Sequence, residues 1–166
     1  MSSTGQDAVL RSLLSETQFA NRFSDQVLDS LCRAARILDV SAGDVIFAEG
    51  TVEDEVFVIV TGHVALEMHV PHRGSVRLLT VGPGELVGWS GLIGDGLMTA
   101  SAVVTEDGRL IALSSKTVRE LCDADSGLGY MLMTRTAQAI AHRLLATRLQ
   151  LLVVFSETEP ITRPGA

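Results

Sequence analysis

The stretch Ala42-Gly43-Asp44-Val45-Ile46-Phe47-Ala48-Glu49-Gly50, resumed as Glu53-Asp54-Glu55-Val56-Phe57-Val58-Ile59-Val60-Thr61-Gly62-His63-Val64, decides how the rest of the chain is read. Glycines at 43, 50 and 62 fall where tight turns call for positive φ, which glycine adopts without a Cβ clash. The residues between them alternate as half-buried strands do. The same period of two continues through Val64–Met68, Ser75–Thr80, Ala100–Val104 and Arg109–Leu113. Turn signals at Pro71-His72-Arg73-Gly74, Pro83-Gly84 and Asp107-Gly108 separate these runs. Such short strands at near-regular intervals predict a mainly β fold with flanking α, a double-stranded β-helix or jelly roll.

Outward from this block the period changes to that of a helix. Val9, Leu10, Leu13, Leu14, Phe19 and Phe23 predict one or two short helices in the first 23 residues, with 1–18 an N-terminal extension. Ser24-Asp25-Gln26 offers an N-cap to a helix carrying Val27, Leu28, Leu31, Ala34, Ala35 and Ile37, which should end before Val40. Ser115–Cys122 restores helical spacing. From about 127 to 155 a single long helix without proline closes the domain, which is expected to span 19–155. Along that helix Met133, Ala137, Ile140, Leu144, Thr147, Leu151 and Val154 repeat at alternating steps of four and three, the spacing of a parallel dimer seam. A second apolar row, Leu145, Leu149 and Leu152, gives more surface than one contact with the β-roll needs; packing back on its own domain is the alternative. Residues 156–166, with Pro160 and Pro164, read as a disordered tail.

Composition narrows the function classes. A chain of 166 residues that is 46% hydrophobic can bury the core of one domain without disulfides. Its formal charge of −7, with no basic stripe, argues against a nucleic-acid partner, because clustered Lys and Arg supply most phosphate affinity. Cys32 and Cys122 lie far apart in apolar segments and read as buried thiols, which suits a reducing cytoplasm. The N-terminus is polar and no apolar run reaches the roughly 18 residues of a membrane span. His63, His69, His72 and His142 lack Cys, Asp or Glu at ligand spacing, so neither a metal nor another cofactor is expected. Glu49, Glu53, Asp54 and Glu55 read as solvated surface and not as a calcium loop. Gly-x-Ser-x-Gly does not occur, and no catalytic residues are assigned.

One further segment has the character of a binding loop. Gly84-Glu85-Leu86-Val87-Gly88-Trp89-Ser90-Gly91-Leu92 is a glycine-rich turn entering a short helix, and Thr99-Ala100-Ser101 follows it. Backbone N–H groups at such a turn favour an anion. Yet no basic residue lies between Leu79 and Arg109.

The order of helices, β-roll and long helix, with these glycines, resembles the cyclic-nucleotide-binding domain of catabolite-activator-type regulators, kinase regulatory subunits and gated channels. The resemblance covers roughly Phe19 to Phe155 and is most specific over Ala42–Val64. It implies a phosphate cassette at Gly84–Leu92, in which a glutamate meets the ribose and an arginine the phosphate. Here the glutamate position falls on Trp89, and the arginine position on Thr99, or on Met98 or Ala100 if the gap shifts by one. A missing charge-assisted bond to phosphate weakens binding by about 3 kcal/mol. The expectation is therefore a non-enzymatic regulatory or interaction module with an altered pocket, dimerising through its last helix. The alternative is a sensor that takes cyclic AMP, cyclic GMP or another nucleotide-like molecule in an unusual way, or a neutral, partly planar ligand. Pocket residues would be Gly84, Glu85, Val87, Gly88, Trp89, Ser90, Gly91, Leu92, Thr99, Ala100 and Ser101, with Tyr130 and Thr134 from the start of the long helix. Expected partners are a second copy, and either a protein or a small molecule. The helix-turn-helix that follows the long helix in catabolite-activator proteins has no counterpart in the ten or so residues after Phe155, so direct DNA binding is not expected.

Overall fold

The structure, a computed structural model, describes residues 3–158, with side chains at residue 5 and residues 7–153. Of the predicted tail 156–166, residues 156–158 continue the last helix instead, and 159–166 lie outside the described residues. Helices α1 (Ser3–Glu16) and α2 (Asp25–Cys32) lead into strands β1 (Ala35–Val40), β2 (Val45–Phe47), β3 (Glu55–Val70), β4 (Gly74–Val81) and β5 (Leu86–Val87). The short helix α3 (Ser90–Ile93), strand β6 (Ser101–Ser114) and helices α4 (Ser115–Ala124) and α5 (Ser126–Thr158) complete the chain. All strand pairs are antiparallel, in the order β1-β6-β3-β4, with β2 on β6 and β5 on β3.

Alternation along the two long strands sorts side chains into two cores. Val56 and Val58 of β3, with Ile111 and Leu113 of β6, pack under the helices against Leu14, Leu31 and Leu132. Phe57, Ile59, Leu110 and Ala112 point the other way and fill the roll with Phe47, Val64, Val81 and Val87. Both faces of this strand pair are thus covered, which is why its sequence reads as a nearly continuous apolar run.

Two expectations need correction. Residues 34–37 do not continue α2: the helix ends at Cys32, and Ala35–Val40 forms strand β1 against Leu113–Gly108 of β6. Ala35 and Ile37 fit either period, and pairing along the β6 edge outweighs local helix preference. Likewise Gly62 and Asp107-Gly108 do not reverse the chain but bend β3 and β6 where the two strands cross, with register shifts from Ile59 to Val64. Gly62 keeps φ +82, and a Cβ there would stand 2.7 Å from the Glu106 carbonyl oxygen. A Cβ on Gly108 would run into the Thr61 carbonyl. The N-cap expectation holds, since the Ser24 side chain accepts from the Val27 N–H.

Candidate functional site

The cassette is built on a hydrogen-bonded frame. Ahead of it the Gly84 N–H donates to Ile59 O at 2.8 Å and the Ile59 N–H to Glu85 O at 3.0 Å, fixing the loop to β3. The Glu85 carboxylate accepts from the Gly82 N–H at 2.7 Å and is spent on its own loop. Gly88, at φ +80, turns the chain from β5 into α3; a Cβ there would lie 3.2 Å from Glu55 O and 3.4 Å from the Phe57 ring. Helix α3 has only four residues. Its early N–H groups are used internally, Gly91 donating to Gly88 O and Leu92 to Trp89 O.

Trp89, Ser90, Thr99, Ala100 and Gly88 converge on one cavity, which Phe47, Leu66 and Met98 close from the roll side. The remaining space is about 50 Å³. Ligand pockets generally run to about 300 Å³ and more, so this one has room for a few small atoms. The ninth lining residue is Arg143, from α5. Its guanidinium carbon stands 4.1 Å from the centre of the Trp89 ring, and its Nη2 donates to the Leu86 carbonyl oxygen. Burial pushes the Arg143 pKa down to about 10, with the Glu85 carboxylate acting in the other direction, so the side chain remains a cation at neutral pH. A desolvated guanidinium on an indole face is the stronger form of the cation–π contact, worth about 2 kcal/mol.

Other expected pocket residues lie elsewhere. Gly84 and Glu85 line a separate groove of about 410 Å³, between the cassette entry, the segment after α1 and the flank of α5 that carries Arg135, Thr136, Ala139 and His142. Val87, Gly91 and Leu92 are buried packing residues, a Cβ on Gly91 being blocked by Ser115 and Glu53. The Ser101 hydroxyl accepts from the Glu49 N–H at 2.9 Å. Tyr130 and Thr134 do not face the cassette: Tyr130 is 77% exposed and Thr134 is exposed too. The reason is helical phase. Leu128, Leu132 and Thr136 are buried, and Tyr130 lies two residues from each of the first two, about 200° round the helix. Ala139 and Arg143, both half-buried, continue this row, so the side chain that lines the cassette cavity from α5 is Arg143, further along the helix than expected.

Of the seam residues, Met133, Ala137, Leu144, Thr147 and Leu151 are exposed and Ile140 is half-buried. The side chain of Val154 lies outside the described residues. Leu145, Leu149 and Leu152 are 57%, 54% and 64% exposed, a second uncovered row. Arg135 holds α5 to the chain below it, donating to the carbonyls of Gln18, Phe19 and Asn21. Elsewhere His63 pairs with Glu106, and among the described residues no group of three or more His, Cys, Asp or Glu could hold a metal ion. No described helix is long and apolar enough to cross a membrane.

A family model for the cyclic nucleotide-binding domain matches residues 37–125, from β1 through the cassette to α4. The chain belongs to the cyclic nucleotide-binding domain family. A cyclic nucleotide-binding protein from Geobacter metallireducens, so described provisionally, is 26% identical over 87% of this chain and 99% of its own, with a TM-score of 0.70. The N-terminal domain of a transcriptional regulator from Streptomyces coelicolor is 25% identical over 89% and 99%, at 0.62. A cyclic nucleotide-binding domain from Methylobacillus flagellatus shares the fold at 20% identity, over 95% and 86%, with a TM-score of 0.72. No curated protein sequence matches the chain. Membership in this family, with its jelly roll and long C-terminal helix, supports a regulatory or ligand-binding role.

The sequence had no local mark for Arg143. The signal that could have found it is the row Leu128, Leu132, Thr136, Ala139 and Arg143, an inward face of α5 interrupted by one cation at its far end.

Proposed function

We propose that this chain is a non-enzymatic regulatory or interaction module of the cyclic nucleotide-binding fold whose cassette is closed by its own side chains and whose long helix pairs with a second copy. The observation that carries the reading is the Arg143 guanidinium seated on Trp89, which leaves about 50 Å³ of the cassette pocket. A nucleoside phosphate would have to displace both side chains. It would also meet an indole at the position where the family resemblance places the ribose-binding glutamate. Neither Met98, which is buried, nor Thr99 or Ala100 supplies a charge to the cassette.

Support for pairing comes from α5. Its last turns present Leu144, Leu145, Leu149, Leu151 and Leu152 at 50–64% exposure. Soluble domains seldom leave so continuous an apolar face uncovered, and heptad spacing suits a copy of the same helix. Two unbridged cysteines are consistent with a reducing, cytoplasmic setting.

Thermal unfolding with 1 mM cyclic AMP or cyclic GMP tests the closed cassette. A ligand held at 100 times its Kd stabilises by about 2.7 kcal/mol, a rise of several degrees in Tm. The expected result is no change with either nucleotide. A saturable rise would instead favour the second reading, a sensor that takes a cyclic nucleotide once Arg143 withdraws.

A further inference from the structure

Two exposed apolar patches of opposite charge lie at the cassette end of the molecule. The first is formed by Val52, Ile93 and Leu97, all exposed, Val52 by 72%. Val52 and Leu97 pair in a β-bridge, and the Gly96 N–H beside them donates to Ser90 O of α3, the helix that ends in Ile93. The Met98 N–H donates to Thr51 O at 2.9 Å, and Met98 lines the cassette cavity together with Arg143. The patch therefore adjoins the place where α5 leaves the roll. Glu53, Asp54 and Asp95 stand next to it in the chain, and neither 37–72 nor 78–108 contains a Lys or Arg.

The second patch is the far end of α5. From Ser126 to Ser156 the helix carries Arg135, His142, Arg143 and Arg148 but no Asp or Glu, in a chain of net charge −7. Every side chain from Leu144 to Val153 is exposed, and Arg148 forms no ion pair among the described residues. Leu145, Arg148 and Leu152 share one face of the helix. Leu145 and Leu152 lie about half a turn round from Arg143, which faces the roll, so this face is turned away from its own roll. A two-helix seam leaves it bare. In a parallel pair of α5 helices, however, the two-fold axis sets the partner's roll on the side of each helix opposite its own. We propose that Leu145, Arg148 and Leu152 of each copy dock on the Val52, Ile93 and Leu97 patch of the second copy, with Arg148 against its acidic rim. This contact rests on the pairing of α5 proposed above, and through it each copy's helix grips the other's cassette loop.

Sedimentation equilibrium of the full chain, read as the dimer Kd, tests the contact. Val52→Asp lies outside α5 and leaves the seam intact, and it should raise the Kd about tenfold or more, because a charge enters the apolar contact twice in a two-fold dimer. Arg148→Glu and Asp54→Arg each set like charges against one another and should each raise it about fivefold. Combining Arg148→Glu with Asp54→Arg restores opposite charges and should return the Kd to within about twofold of the parent. The contact is overturned if the parent is dimeric and Val52→Asp dissociates no more readily, or if the two reversals together recover nothing that each alone loses. In either case the seam along Met133–Leu151 still stands. A monomeric parent would instead remove the pairing of α5 itself, and this contact with it.

Discussion

Arg143 and Trp89 are 54 residues apart in sequence, yet the guanidinium carbon of one stands 4.1 Å from the ring centre of the other. That contact joins the long helix to the cassette, beside the Arg143 hydrogen bond to the Leu86 carbonyl oxygen and the packing of Leu86 and Leu92 in one core with Leu128 and Leu132. A double-mutant cycle on Arg143→Met and Trp89→Leu, read by urea unfolding, should give a coupling energy of about 1–2 kcal/mol. Additive effects would show that the stacked pair contributes nothing beyond its separate burial.

The seam is tested at Leu144, which is 50% exposed on the outer side of α5. Leu144→Asp introduces a charge into the proposed helix pair without touching the core. Light scattering coupled to size exclusion should give twice the chain mass for the parent and the chain mass for the variant. A monomeric parent would remove the seam.

Where β3 and β6 cross, Gly62 and Gly108 let the backbones approach closely. Gly108→Ala directs a methyl group at the Thr61 carbonyl and should destabilise the fold by about 2 kcal/mol or more, measured by denaturant unfolding. Gly50→Ala is the contrast, with open space around the added methyl and only the strain of φ +79, about 1 kcal/mol.

Both thiols should react slowly in the folded protein. Burial, and then Asp29, raises the Cys32 pKa; burial, and then Asp123 and Asp125, raises that of Cys122. Less thiolate is therefore present at a given pH than in the unfolded chain. At pH 8, labelling by a disulfide reagent should speed up about tenfold or more in urea, with Cys32, the buried one, the slower in the native state.

The jelly roll was legible because its strands keep a period of two and its glycines stand at positive φ, as Gly43, Gly50 and Gly62 do. Less was legible where residues satisfy both periods: Ala35 and Ile37 suit a helix as well as they suit β1, and only the β6 edge decides. The cassette divided in the same way. Gly88, Trp89, Ser90, Thr99 and Ala100 come together as their spacing suggests, because one continuous loop carries most of them. Tyr130 and Thr134 were misplaced because α5 shows apolar residues on more than half its circumference, which hides the phase of its inward face. Arg143 reaches the site through tertiary packing, and no local pattern announces a contact across 54 residues of chain.

The closed cassette is tested most directly by isothermal titration calorimetry of the full chain with cyclic AMP and cyclic GMP. The predicted result is no binding heat from either nucleotide for the parent protein. One-to-one binding at micromolar Kd, with Arg143 and Trp89 both intact, would contradict the account.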